Sequence, residues 1–236
     1  MKLQKLASFF PGWLFLLAML TALSPLSVDL YLPAFPAIAE SLNVNSAQIQ
    51  VTLAAYLLGM AAGQLLYGPL SDHFGRKPPL YFGLALYVLA SFACVFANDL
   101  TTLTIARFVQ ALGGSSGVVI SRAVIRDRTK PAQSAKAFSM LMLALGLAPI
   151  LAPLLGGFLL YIMGWRGIFA VLGVTGIVLF ISTHYSMRET HFREPNAHLS
   201  LWSVLTRYLE LLKEWQFQKY VLVAGMLFGG MFAYVA

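Results

Sequence analysis

Residues 41–78 read SLNVNSAQIQVTLAAYLLGMAAGQLLYGPLSDHFGRKP, and this stretch decides the fold. Positions 41–71 carry no charged side chain. About 20 residues of helix cross the hydrocarbon core of a bilayer, so an uncharged apolar run of ~18 or more reads as a membrane helix. The run stops at Asp72, Arg76 and Lys77, set around Gly75 and followed by Pro78, a polar reversal. Outward from it the pattern repeats. Residues 78–98, 137–165 and 167–187 are also free of Asp, Glu, Lys and Arg. The 236-residue chain is 59% apolar and 11% charged, where a soluble domain is nearer ~25% charged. A soluble core in so short a chain could not bury so many such runs. Only helices and closed barrels satisfy the backbone in lipid, and these runs are too long and too uniformly apolar for barrel strands. The fold class is therefore all-α, a polytopic membrane protein.

Six complete spans are expected at about 10–33, 48–70, 79–97, 101–122, 137–160 and 166–186, with a seventh from 220 to 236. This divides the chain into a six-helix bundle, 1–186, a central loop, 187–219, and the start of a seventh helix, 220–236. The first segment resembles a signal peptide in Lys2, Lys5 and the Ala37-Ile38-Ala39 string, but its apolar stretch exceeds the usual ~7–15 residues, so it reads as a retained helix. Within the loop, Leu201, Val204, Leu205, Tyr208, Leu209, Leu212 and Trp215 recur at helical steps opposite Arg207, Glu210, Lys213 and Glu214. Residues 199–216 are thus expected to form an amphipathic helix on the membrane surface, with Ser200 as its N-cap.

The net charge of +7 invites a nucleic-acid reading. The distribution excludes it. Fourteen of the sixteen basic residues fall in alternate loops, with Arg166 opposite them and Arg107 inside a span. The positive-inside rule then puts the N-terminus in the cytoplasm. Cys94 is a lone cysteine in an apolar run and reads as a small core residue.

Charged residues inside spans cost a few kcal/mol unless paired or wet (~2.5–3.5 on insertion scales), so they mark mechanism. Arg107 lies within span four, with Gln110 one turn later on its face. Asp29, toward the outer end of span one, is the one acid placed within a span. It is either a wet helix end or a carboxylate whose pKa a partly dry cavity raises until it carries a proton. Two rows of small residues, Ala55, Gly59, Gly63 and Ala144, Ala148, Ala152, Gly156, make smooth ridges for close helix approach. Static packing and sliding both fit. Pro149 and Pro153 bend span five.

Other matches lead nowhere. Gly113-Gly114-Ser115-Ser116-Gly117 fits a hydrolase nucleophile elbow, but that motif needs a strand–turn–helix context, and here it sits in a membrane helix. His184, His191 and His198 are spaced too widely for one metal. No phosphate-binding loop appears, so neither ATP nor any cofactor is expected, and the chain does not read as an enzyme.

The string Gly68-Pro69-Leu70-Ser71-Asp72-His73-Phe74-Gly75-Arg76-Lys77-Pro78 resembles the major facilitator superfamily pattern G-x-L-a-D-r-x-G-r-k, at the loop that family uses. His73 stands where a basic residue is usual. Arg107, Gln110 and Gly113 resemble the fourth-helix R-x-x-Q-G-x-G motif, with Ala111 for a glycine. Pro153, Gly156 and Gly157 resemble the fifth-helix antiporter motif G-P-x-x-G-G, with Ala152 for its first glycine. Together with Pro149 and with Asp29-Leu30-Tyr31-Leu32-Pro33-Ala34, this form resembles the Bcr/CflA drug-resistance branch.

The resemblance implies a twelve-helix fold of two six-helix halves, each a pair of inverted three-helix repeats. This chain would supply the N-terminal half and part of a seventh helix, its partner a missing C-terminal half. The implied activity is proton-coupled efflux of drugs or other small apolar or cationic compounds across the inner membrane, driven by the proton gradient. Gly68, Asp72, Gly75, Arg76 and Lys77 would gate it, and Asp29, Arg107 and Gln110 would couple it to protons. Export of a physiological solute such as a nucleoside or sugar, and a fragment that does not transport, stay open. Gly68 to Gly75 and Gly157 to Gly164 share a spacing, each followed within two residues by arginine, an echo of the repeat.

Overall fold

The computed structural model describes residues 12–191, 206, 208 and 210–235, and they contain helices and no strand. The chain divides into two compact units, Met1–Arg193 and Glu194–Ala236. In the first, α1 is Gly12–Asp29, a 3-10 turn is Leu32–Ala34, α2 is Phe35–Ser41, α3 is Ser46–Phe74, α4 is Lys77–Val95, α5 is Leu100–Arg128 and α6 is Pro131–Ser186.

The first span is longer and less regular than expected. Pro33 and Pro36 lack the N–H that would continue α1, so each opens a new short helix instead. Asp29 therefore lies at a break between helical segments rather than at the end of the span. α3 starts in a reciprocal cap in which the Gln48 N–H donates to the Asn45 side chain and the Asn45 N–H to the Gln48 side chain, both at 2.9 Å. α5 begins on Asp99, which accepts from the Thr102 N–H at 2.8 Å. α5 also runs on to Arg128, so Arg122 and Arg126 belong to its last turns and not to a link. Cations there complement the helix dipole.

α6 has 56 residues and would be about 84 Å long if straight, far beyond a ~30 Å hydrocarbon core. Gly164, at φ 68° and ψ 178°, turns it back. The expected fifth and sixth spans are thus two limbs joined at one residue. On the first limb Gly156 lies against the Leu30 backbone, at the end of α1. The second limb descends along α4 in the opposite sense. Arg166 donates to the carbonyls of Val95 and Ala97, Gly173 meets Phe92, Gly176 meets Val88, and Phe180 stacks on Tyr81. Gly75, at φ 87°, makes the matching reversal between α3 and α4, so the two glycines of the sequence echo share the left-handed region.

α5 is the centre of the bundle. Its Gly113–Gly117 run faces α1, α3 and α4 at once: Gly113 against Gly83 and Tyr87, Ser115 against Gly63, Gly117 against Leu20. Both small-residue ridges are consumed inside this bundle, since Gly59 and Gly63 meet α5 while buried Ala148 and Ala152 and then Gly156 face inward.

In the second unit α7 is Trp215–Val235, beginning ahead of the expected Tyr220. Of the amphipathic segment 199–216, residues 206, 208 and 210–213 are helical and Glu214 breaks the run. Trp215 and Gln216 already belong to α7, and residues 199–205, 207 and 209, Ser200 among them, lie outside the described residues.

Candidate functional site

Two clusters collect the polar side chains of the bundle. The first surrounds Arg107, which α5 carries fully out of solvent. Its Nη1 donates to the Gln110 side chain at 2.8 Å and to the Ser27 carbonyl of α1 at 3.1 Å. Gln110 in turn donates to Ser91 of α4 at 2.8 Å. Among the described residues Nε and Nη2 have no hydrogen-bond partner. Ring faces take their place: the guanidinium carbon stands 4.4 Å from the Tyr31 centroid, 4.2 Å from Tyr56 and 5.6 Å from Phe169. A cation over an aromatic face is attracted by the ring quadrupole, most strongly where water is absent. The rings are themselves anchored. The Tyr31 hydroxyl pairs with Thr52 at 2.7 Å, and the Tyr56 hydroxyl donates to the Ser24 carbonyl at 3.1 Å. The buried cation thus has aromatic and carbonyl partners where an ion pair would be usual.

Asp29 is not part of this cluster. It is half-buried, and among the described residues it has neither an ion pair nor a hydrogen bond. The sequence-expected trio therefore splits into Arg107 with Gln110 on one side and a free carboxylate on the other.

The second cluster closes the end of the bundle that holds the 68–77 loop. Arg76, 2% exposed, donates from Nη1 to Asp72 at 2.6 Å and to Ser71 at 2.9 Å, and from Nε to Asp127 of α5 at 2.8 Å. Glu189, just past α6, accepts from the backbone N–H groups of Arg76 at 2.8 Å and Lys77 at 2.9 Å, which caps α4. A Cβ on Gly75 would stand 3.0 Å from the Glu189 carboxyl carbon, so the glycine is needed for room as well as for its φ. Burial opposes the charge of Arg76, but Asp127 and Asp72 outweigh it and raise its pKa. Burial likewise disfavours ionised Glu189. Backbone N–H groups of Lys77, Arg76, His191 and Thr190 outweigh that and hold its pKa below the ordinary value. The Lys77 ammonium sits 5.6 Å from the Tyr81 ring, and Gly68 has open space around it.

Of the fifth-helix residues, Pro149 and Pro153 lie inside the first limb of α6, Gly156 packs on Leu30, and Gly157 has no neighbour within 4 Å of a notional Cβ. Neither cluster includes them. Sequence reading missed Tyr31, Tyr56, Asp127 and Glu189. The last two carried a signal, being acids set singly among the basic residues of the charged loops.

Over 94% of its length the chain is 39% identical to an uncharacterized MFS-type transporter, YdgK, of Bacillus subtilis, covering 56% of that protein. It is 36% identical to a bicyclomycin resistance protein homolog of Haemophilus influenzae, over 93% of this chain and 55% of that one. A multidrug resistance protein, MdtL, of Shigella dysenteriae is 34% identical over 75% of the chain and 46% of its own length. The chain spans about half the length of the curated relatives it matches. Two solved structures share its fold at 18% identity. They are a bacterial homolog of the human lysosomal transporter Spinster (inward-facing and unoccupied; TM-score 0.67, 82% of this chain, 46% of that one) and a peptide transporter, POT, in complex with sulfate (TM-score 0.65, 92% and 46%). The family described as the Major Facilitator Superfamily matches residues 17–236. This multi-pass membrane chain belongs to the Major Facilitator Superfamily.

Proposed function

We propose that the chain forms one six-helix half of a proton-coupled exporter, moving drugs or other small apolar or cationic compounds out across the inner membrane by antiport. The observation that carries this is Arg107, fully buried with no carboxylate partner among the described residues. A membrane protein retains such a costly cation where it works. The relatives named for bicyclomycin and multidrug resistance support the substrate class, and their length supports a second half that completes the cavity. In this reading the N-terminus is cytoplasmic and the proton gradient is the energy source, with no cofactor.

Asp29, unpaired and half-buried, takes the proton or faces a cationic substrate. Arg107, with Gln110, shifts between partners as that charge changes, since two of its nitrogens are free to do so. The Arg76 cluster latches one end of the half-bundle. Pro149 and Pro153 each remove a backbone hydrogen bond and let the first limb of α6 flex. The test is substrate-dependent proton movement in everted vesicles that carry the chain together with a C-terminal half. A cationic drug should dissipate a preformed pH gradient, and Arg107→Ala should abolish this with the protein still in the membrane. Proton movement with nucleosides or sugars but not with drugs would replace the substrate class, and none with any compound would overturn the reading.

A further inference from the structure

α1 and the second limb of α6 do not close on one another. Between them runs a groove of about 450 Å³, from Gly12 and Ser186 at one end, past Met19 and Val178, to Leu26 and Val174 near mid-bundle. On α1 that is about 20 Å of helix rise, somewhat more than one leaflet of a ~30 Å hydrocarbon core. Its walls are apolar along almost the whole length, and it opens sideways: Phe15, Val174 and Val178 on its rim are each more than half exposed. In a bilayer, an apolar trough that opens sideways is filled by hydrocarbon rather than water.

The mouth of the groove is different. It lies at the basic end of the bundle, where Trp13 adjoins Gly12 and the Arg128 guanidinium stands 5.4 Å from the Trp13 ring. Arg128 also donates to the Arg188 carbonyl at 3.3 Å, which brings the exposed Arg188, two residues past Ser186, to the same corner. Neither arginine has a carboxylate partner among the described residues. The nearby acids are engaged elsewhere, Asp127 with Arg76 and Glu189 with the N-terminus of α4. An unneutralised Arg128 beside a tryptophan, with the exposed Arg188 joined to it through its carbonyl, offers a phosphate two cations at the basic end of the bundle.

We propose that this groove is a binding site for one anionic phospholipid, with an acyl chain between α1 and the second limb of α6 and its phosphate at Arg128 and Arg188. The site uses none of the side chains of the Arg107 and Arg76 clusters, though Arg128 and Arg188 adjoin Asp127 and Glu189 in the chain, and it does not depend on the transport reading.

The experiment compares retention of phosphatidylglycerol and phosphatidylcholine of identical chains by the purified full chain, read as lipid adducts by native mass spectrometry. Phosphatidylglycerol should be preferred. Arg128→Gln with Arg188→Gln should lower that preference roughly tenfold, since each cation near a headgroup contributes on the order of a tenfold factor or less. Arg128→Lys with Arg188→Lys, which keeps both charges, and Arg122→Gln, an exposed cation elsewhere on α5, should leave it in place. Val178→Trp, which fills the trough, should reduce retention of both lipids. Equal retention of the two lipids by the unaltered chain would overturn the proposal, as would a preference that survives the double glutamine change. A photoreactive side chain at position 178 should cross-link to lipid, and transfer to polypeptide instead would assign the groove to a protein partner.

Discussion

At Arg107 the electrostatics of the bundle are concentrated in one side chain. It has no counter-charge among the described residues, so its retention in an apolar interior rests on one glutamine, one carbonyl and aromatic faces. Tyr56 tests this directly. Tyr56→Phe keeps the ring and loses a hydrogen bond of 3.1 Å to the Ser24 carbonyl. Tyr56→Leu loses both, and should cost about 2 kcal/mol more, since a desolvated cation–ring pair is worth roughly that. Thermal unfolding in detergent reads the difference. Equal losses for the two changes would show that the hydroxyl matters and the ring does not. Asp29 is the opposite case, a carboxylate with no described partner, so Asp29→Asn should leave the melting temperature within a degree or two. It should nevertheless change the pH dependence of export or the preference for cationic drugs. Unaltered export by Asp29→Asn at every pH would remove this carboxylate from the mechanism.

Elements meet in the Glu189 cap, where the chain leaving α6 stabilises the start of α4. A carboxylate held below its ordinary pKa stabilises the fold above that ordinary value, here 4.5, and the contribution is lost as the pH falls through the lower folded-state value. Unfolding of the native chain should therefore ease as the pH drops below about 4.5. In Glu189→Gln that acid-dependent loss should shrink, with stability already reduced at neutral pH. A variant with the same acid profile as the native chain would show that other carboxylates set it. The same junction explains why the loop needs Gly75, whose φ and crowded Cβ position both exclude larger side chains. Gly164 shows the conformational half of this rule without the crowding, since nothing lies within 4 Å of its notional Cβ.

For the whole molecule, the basic residues predict which end of the bundle faces the cytoplasm. Cys94 is fully buried and should stay silent toward an impermeant thiol reagent. Cysteines placed singly at exposed Gln133 and exposed Asn98, at opposite ends, should then label oppositely. Reagent applied outside intact cells is expected to reach position 98 and not 133, and the reverse result would invert the molecule. Ser71, in the same loop as the gate residues, would report poorly, because Arg76 covers it.

The sequence by itself determined the helical, membrane-spanning class and the local pairing of Arg107 with Gln110. Arg107 and Gln110 sit three residues apart on α5, and helix periodicity alone puts such a pair on one face, whereas Arg76 reaches Asp72 only across the Gly75 reversal between α3 and α4. Small residues at four-residue steps were legible as packing surfaces for the same reason. What those surfaces meet was not legible. Arg76 finds Asp127 across 51 residues and Glu189 across 113, and Tyr31 and Tyr56 reach Arg107 from two other helices. An apolar stretch in lipid specifies that it spans, but hardly which of its faces turns inward, because lipid tails are as apolar as a leucine core. That choice is made by close fits such as Gly113 on Gly83 and Gly156 on Leu30. Only the tertiary structure therefore decided that Arg107 lies between aromatic rings, that Asp29 stands apart from it, and that the ridges are spent within this half.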